Sequence, residues 1–168
     1  MKNKLIVISA LLLAFSVNSF AQASATATST ATIVTPIAIT KTVDMNFGNV
    51  AVSSSSGTAV LTPAGARSAT GGVTLPATTG TVAAASFNVT GEGTYTYAIT
   101  LPSSVTITRN SGTETMTVNT FTSSPSSTGA LTAGAQTLTV GATLNVGASQ
   151  VAGTYVSGTA FSVTVNYN

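Results

Sequence analysis

Apolar and hydroxyl-bearing residues alternate along most of this chain, and a period of two is typical of half-buried β-strands. In the segment 83–90, for example, Phe87 and Val89 fall on one face while Ser86 and Asn88 fall on the other. The helical period of 3.6 residues is hard to find beyond the first twenty or so residues. We therefore expect an all-β fold. Two further segments have the same pattern: 95–101, with Tyr95, Tyr97, Ile99 and Leu101 in phase, and 159–167, with Phe161, Val163, Val165 and Tyr167 in phase.

Turn-forming residues separate the candidate strands at short intervals. Clusters of Gly, Pro, Asn and Ser lie at 53–57, 63–71, 91–93, 102–104, 110–112, 123–129 and 133–134. Turn-forming clusters at such regular spacing indicate a β-sandwich or a barrel. The candidate strands are residues 33–40, 45–52, 58–61, 72–75, 83–90, 95–101, 105–108, 114–121, 136–140, 143–146 and 159–167.

The N-terminus resembles a cleavable secretory signal. Lys2 and Lys4 precede an apolar run at 5–17, which is shorter than the roughly 20 residues needed to span a bilayer. Small residues then favour cleavage after Ala23, or alternatively after Ala21. We assign residues 1–23 to the signal and expect no membrane span after its removal. The product is expected to be secreted, to the extracellular space or the cell surface.

Removal of the signal leaves a chain with almost no net charge. The remaining chain contains three basic and three acidic residues, so the net positive charge of the full sequence is lost with the signal. Binding to nucleic acid needs several clustered Lys or Arg side chains, and we expect none here. The mature charged residues are Lys41, Arg67, Arg109, Asp44, Glu92 and Glu114.

The residue inventory argues against catalysis. The sequence has no His and no Cys, which removes Ser-His-Asp triads, Cys-His dyads and most zinc sites. The three remaining carboxylates are far apart in the sequence, and no acid-rich loop suits calcium. We therefore predict no catalytic residue, no metal site and no cofactor.

Residues 24–35 form an extended arm ahead of the predicted sandwich at 36–168. One face of the arm carries Ala25, Ala27, Ala31 and Ile33, and Thr residues occupy most of the other. Pro36 then interrupts the pattern. We predict that the arm is donated as a β-strand to a neighbouring copy. It could instead be the first strand of its own domain or a Thr-rich linker. The candidate acceptor strand is the C-terminal one, with Phe161, Val163, Val165 and Tyr167.

Several ordered motifs carry a family resemblance. The C-terminal stretch FSVTVNY at 161–167 resembles the last strand of chaperone-usher pilins, although the cysteine pair usual in those proteins is missing. A closer resemblance is to the secreted bacterial family known as domain of unknown function 4402, whose members look pilin-like. It rests on FGNV (47–50), FNVTG (87–91), YAITLP (97–102), VGATL (140–144), GTY (153–155) and FSVTVNY (161–167).

The resemblance implies an immunoglobulin-like or pilin-like β-sandwich in a surface or fimbrial setting. With the arm, it suggests a structural subunit of a fimbria-like or pilus-like filament that forms a homo-polymer by strand addition. A periplasmic chaperone or an outer-membrane assembly protein would be its partner. The alternative is a monomeric secreted adhesin, or a carbohydrate-binding or matrix protein.

Overall fold

Alternating β-branched residues produce antiparallel strands in the folded part of this chain. A computed structural model describes residues 21–168, and within them there is no helix. The predicted all-β sandwich is confirmed. Among these described residues, 21–33 belong to one unit and Val34–Asn168 form a second. The strands of the described residues are β1 (Ala38–Val43), β2 (Asn46–Phe47), β3 (Ala51–Leu61), β4 (Arg67–Thr74), β5 (Val82–Ala83), β6 (Ala85–Thr90), β7 (Thr96–Thr100), β8 (Ser104–Arg109), β9 (Thr115–Ser124), β10 (Thr128–Ala130), β11 (Ala135–Val146), β12 (Tyr155–Ser157) and β13 (Thr164–Tyr167).

Strand β11 organises the larger sheet because it pairs with three neighbours. Its first half pairs with β6, from Ala135 opposite Thr90 to Val140 opposite Ala85. Its second half pairs with β3, starting with Ala142 opposite Leu61, and its other edge pairs with β9. The sheet order is therefore β1-β6-β11-β9-β8-β12, with β3 and β4 beside the second half of β11.

The second layer of the sandwich is smaller. It contains the three-stranded sheet β10-β7-β13 and the two-stranded pair β2-β5. The three-stranded sheet packs on β6 and the first half of β11 and buries Tyr97 completely. The Tyr97 hydroxyl donates a hydrogen bond to Gln136 Oε1 at 2.6 Å, so its polar atom is satisfied. We call this cluster the first core: Ala85, Phe87, Val89, Tyr97, Leu131, Leu138, Val140 and Val165.

A second core lies on the other half of the large sheet. Its buried members come from β3, β4, β9 and the second half of β11, and none comes from β7, β10 or β13. Side chains of residues 45–52, including Phe47 of β2, pack against it, and so do Leu75, Phe121 and the β8 residues Val105 and Ile107. Each large apolar side chain buried fully in either core contributes about 1.5–3 kcal/mol. The buried residues of the second core are Ala59, Val73, Val118, Ala142, Leu144 and Val146.

The predicted alternation is confirmed in β6, where Phe87 and Val89 are buried and Asn88 is exposed. Tyr95 was expected in the same strand as Tyr97, but it lies just outside β7. The Tyr95 N–H donates to the Glu92 carbonyl at 3.0 Å, so this tyrosine closes a turn before β7 begins, and it stays 47% exposed.

Several strand bounds also differ from the predicted ones. Segments 136–140 and 143–146 are parts of the single strand β11, because Gly141 does not interrupt it. The first strand begins at Ala38 rather than at residue 33, and the last strand begins at Thr164 rather than at residue 159.

Gly141 marks the point where β11 changes partner from β6 to β3. The Leu61 carbonyl oxygen and the backbone of Thr62 and Pro63 approach its Cα so closely that a Cβ atom would overlap the Leu61 oxygen. The chain can therefore switch partners without a gap only if this residue has no side chain.

Replacing Gly141 with Ala should lower the free energy of unfolding by about 1–3 kcal/mol, because a Cβ forces apart backbone segments that are in contact. The matched control is Gly158→Ala, where a Cβ would meet no atom within 4 Å. The control should be unchanged or up to about 1 kcal/mol more stable, since alanine restricts the unfolded chain. Urea unfolding of both variants measures the difference, and equal midpoints would contradict the close approach.

Candidate functional site

An open apolar groove of about 970 Å³ lies over the second core. Its floor is formed by the large sheet, on three adjacent strands that β7, β10 and β13 do not cover. The floor side chains alternate along their strands, as residues of one face must. They are Val105 and Ile107 of β8, Met116 and Val118 of β9, and Leu144 and Val146 of β11.

The rims of the groove expose apolar side chains to water. One rim is the segment 41–52 and the other is the segment 150–161. Val43, Val151 and Val156 are 42%, 46% and 52% exposed, and all three line the groove. Exposed apolar side chains that line one groove are consistent with an interaction site.

The groove is electrically neutral. Among the described residues that line it, only Lys41 and Asp44 are charged, and they pair with each other, with 2.6 Å between Lys41 Nζ and Asp44 Oδ1. The groove thus suits an uncharged apolar occupant better than a charged one.

Arg67 fixes the first rim. Its Nη1 donates to the carbonyl oxygens of Phe47 at 2.6 Å and Asn49 at 2.9 Å. Between these carbonyls, Gly48 has a φ of +67°, and a Cβ there would overlap the Thr79 carbonyl oxygen. The FGNV motif therefore makes a tight corner beside β2, which an arginine from β4 holds in place.

Tyr155 fixes the second rim. Its hydroxyl accepts from Gln150 Nε2 at 2.8 Å and donates to the Val151 carbonyl at 2.7 Å. The Asn110 N–H donates to the Thr154 carbonyl at 2.7 Å, and β12 pairs with β8. Both rims are thus tied to the large sheet, and the groove is a preformed feature.

An ion pair closes the turn between β8 and β9, next to the second rim. Arg109 Nε donates to Glu114 Oε2 at 2.6 Å. This hydrogen bond, together with one from the Glu114 backbone, lowers the pKa of the Glu114 carboxyl from 4.5 to about 2.

A three-way hydrogen-bond cluster anchors the base of the arm. The Tyr167 hydroxyl donates to the Thr35 carbonyl at 2.9 Å and accepts from the Glu92 N–H at 2.6 Å. The Thr35 N–H in turn donates to Glu92 Oε2 at 3.0 Å, which holds the pKa of the Glu92 carboxyl below its ordinary value. The two terminal segments of the sandwich are thereby joined.

The predicted donor residues are exposed and lie in no strand. Residues 21–37 have no regular secondary structure, and residues 21–33 are exposed, Ile33 to 97%. The donor residues Ala25, Ala27, Ala31 and Ile33 and the cleavage residues Ala21 and Ala23 belong to this stretch. The rest of the predicted signal, residues 1–20, lies outside the described residues.

The predicted acceptor residues lie together at the first core. Val165 is buried within it, and Phe161, Val163 and Tyr167 pack against it. Phe161 also lines the groove, and the Tyr167 hydroxyl donates to the Thr35 carbonyl. The floor residues on β8, β9 and β11 were not predicted as a site. Their alternation was visible in the sequence, but nothing in it indicated that the face would be left uncovered.

Within residues 21–168, no group of three acidic, His or Cys side chains is placed to hold a metal ion. In the same residues, no helix has the length and apolar character needed to cross a membrane. The absence of enzymatic activity stays a prediction.

The Glu114 pKa predicts a pH effect on stability. Because folding depresses this pKa, the ion pair contributes stability above about pH 4.5, and the contribution is lost as the pH falls towards 2. The difference in urea midpoint between the unaltered chain and Glu114→Gln should therefore shrink over that range. In a carboxyl NMR titration, Glu114 should titrate near pH 2 and move upwards in Arg109→Gln. A midpoint of about 4.5 in the unaltered protein would contradict the pairing.

The comparisons with known proteins gave one family match. The family model described as Domain of unknown function (DUF4402) matches residues 37–167. No curated protein and no solved structure matches the chain. The matched range contains β1 through β13 and begins after the arm. Because it covers well over half of the chain, as the ordered motifs predicted, the protein belongs to the DUF4402 family.

Proposed function

We propose that this protein is a structural subunit of a bacterial surface filament, in which residues 24–34 of one copy add as a β-strand to the next. The observation that carries the proposal is that the arm has a strand-like sequence pattern but is not part of any strand. Apart from Ser29, residues 24–33 alternate between apolar and hydroxyl side chains, yet they are exposed and in no strand. A segment patterned for a sheet but lying outside one is suited to pair with another chain.

The composition of the arm supports pairing through the backbone. Its alanines bury little apolar area, so most of the attraction would come from main-chain hydrogen bonds, each worth about 0.5–1.5 kcal/mol net. Ile33 is the largest side chain on the apolar face and would add about 1.5–3 kcal/mol if fully buried. Ordering the arm costs about 1–2 kcal/mol per residue, so assembly requires an acceptor that shields these hydrogen bonds from water.

The charge and the predicted export route agree with assembly outside the cell. After removal of the signal, the chain carries three basic and three acidic residues, so identical subunits do not repel one another strongly. Cleavage near Ala23 would free the arm at the moment of export. The fimbria-like setting implied by the family resemblance fits this order of events, with a periplasmic chaperone or an outer-membrane assembly protein guiding the subunits.

Two substitutions in adjacent arm positions test the proposal. In the mature chain, Ala27→Arg places a charge on the face expected to be buried, where an unpaired charge is strongly unfavourable. Thr28→Arg places the same charge on the opposite face. We expect Ala27→Arg to give folded monomers and Thr28→Arg to give filaments like those of the unaltered chain, as seen by negative-stain microscopy and light scattering.

Deletion of residues 24–33 gives a second test of the same proposal. It should leave folded monomers and no filaments. The proposal would be contradicted by filaments that persist in the deletion variant, or by a mass-confirmed monomer of the unaltered chain that binds glycans saturably.

A further inference from the structure

We infer that the apolar groove over β8, β9 and β11 is the acceptor site, and that its occupant is the segment 24–33 of a second copy of this chain. The inference rests on the proposed strand donation and names the surface that receives the strand. It differs from the sequence-based expectation, which assigned this role to the C-terminal strand.

The three-stranded sheet of the second layer does not extend over the groove. None of the residues of β7, β10 or β13 lines it. Phe161, three residues before β13, lines the groove, and the opposite wall includes Phe47 of β2. Sheets in a sandwich stack about 10 Å apart, so a strand lying in the groove would extend the second layer over the second core.

The chemistry of the arm matches that of the groove. Residues 24–33 contain no charged side chain, and the two charges on the groove wall, Lys41 and Asp44, neutralise each other. The floor is a shallow apolar surface of Val, Ile, Leu and Met side chains. The arm can lie flat on such a surface as a strand, with its alanines, Ile33 and the small Ser29 towards the floor and its threonines towards water.

Anchoring of the arm favours a second copy over the same chain. Tyr167 and Glu92 hold Thr35 at the corner formed by residues 91–95 and the end of β13. None of the residues 34–37, 91–95 or 167 lines the groove. The arm thus departs from an anchored point that is not part of the groove lining of its own domain.

Cysteine cross-linking tests the inference directly, because the chain contains no Cys of its own. One single-cysteine chain carries Ala31→Cys in the arm, and a second carries Ile107→Cys on the groove floor. The two are mixed, allowed to assemble and mildly oxidised. Thr106→Cys is the matched control, since Thr106 neighbours Ile107 in β8 but is exposed and absent from the groove lining.

We expect the Ala31–Ile107 linked dimer to form at least about tenfold more than the Ala31–Thr106 dimer, owing to the high effective concentration within the assembly. Thr30→Cys should link to Ile107→Cys less than Ala31→Cys does, because it lies on the other face of the arm. If Ile107→Cys impairs folding, Val156→Cys on the rim, where the native side chain is 52% exposed, replaces it.

Equal linkage to positions 106 and 107 would overturn the inference. So would a disulfide that forms only within one chain in the double variant Ala31→Cys/Ile107→Cys, since the occupant would then be the arm of the same copy. Neither result would affect the proposed function if filaments still required the arm. Filaments formed without residues 24–33 would instead refute the proposed function itself.

Discussion

Strand β11 makes the large sheet wider than the layer that covers it. Its two halves pair with β6 and β3 and its other edge pairs with β9, so one continuous sheet carries two separate cores. The sheet β10-β7-β13 covers only the first core. The floor formed by β8, β9 and β11 therefore lies outside the three-stranded sheet, and the groove lies over this second part of the large sheet.

Fixed rims turn this open face into a site. Arg67 holds the corner at Phe47 and Asn49, and Tyr155 holds the segment from Gln150 to Val151. A preformed groove spares an incoming strand the cost of ordering its walls. Covering the groove also removes exposed apolar surface, which otherwise favours nonspecific aggregation.

The alternation of apolar and polar residues along the sequence predicted which side of a strand each residue occupies. The alternation in β6 correctly placed Phe87 and Val89 in the core, because side chains on a strand must point to opposite faces. Tyr95 was predicted to lie in the strand but precedes β7, since the turn that contains it depends on a backbone hydrogen bond to Glu92. The groove was not predicted, because Val105, Ile107 and Met116 have the same pattern whether or not another layer covers them. Burial of that face is decided by distant segments.

The central claim is that the second layer of this sandwich is completed by the arm of another copy. Hydrogen exchange of the backbone amides in residues 24–33, compared between monomer and assembled protein, tests it most directly. The account predicts that these amides exchange freely in the monomer and become protected on assembly, together with amides of the segment 160–163 beside the groove. Assembled protein in which the amides of residues 24–33 still exchange as fast as in the monomer would contradict it.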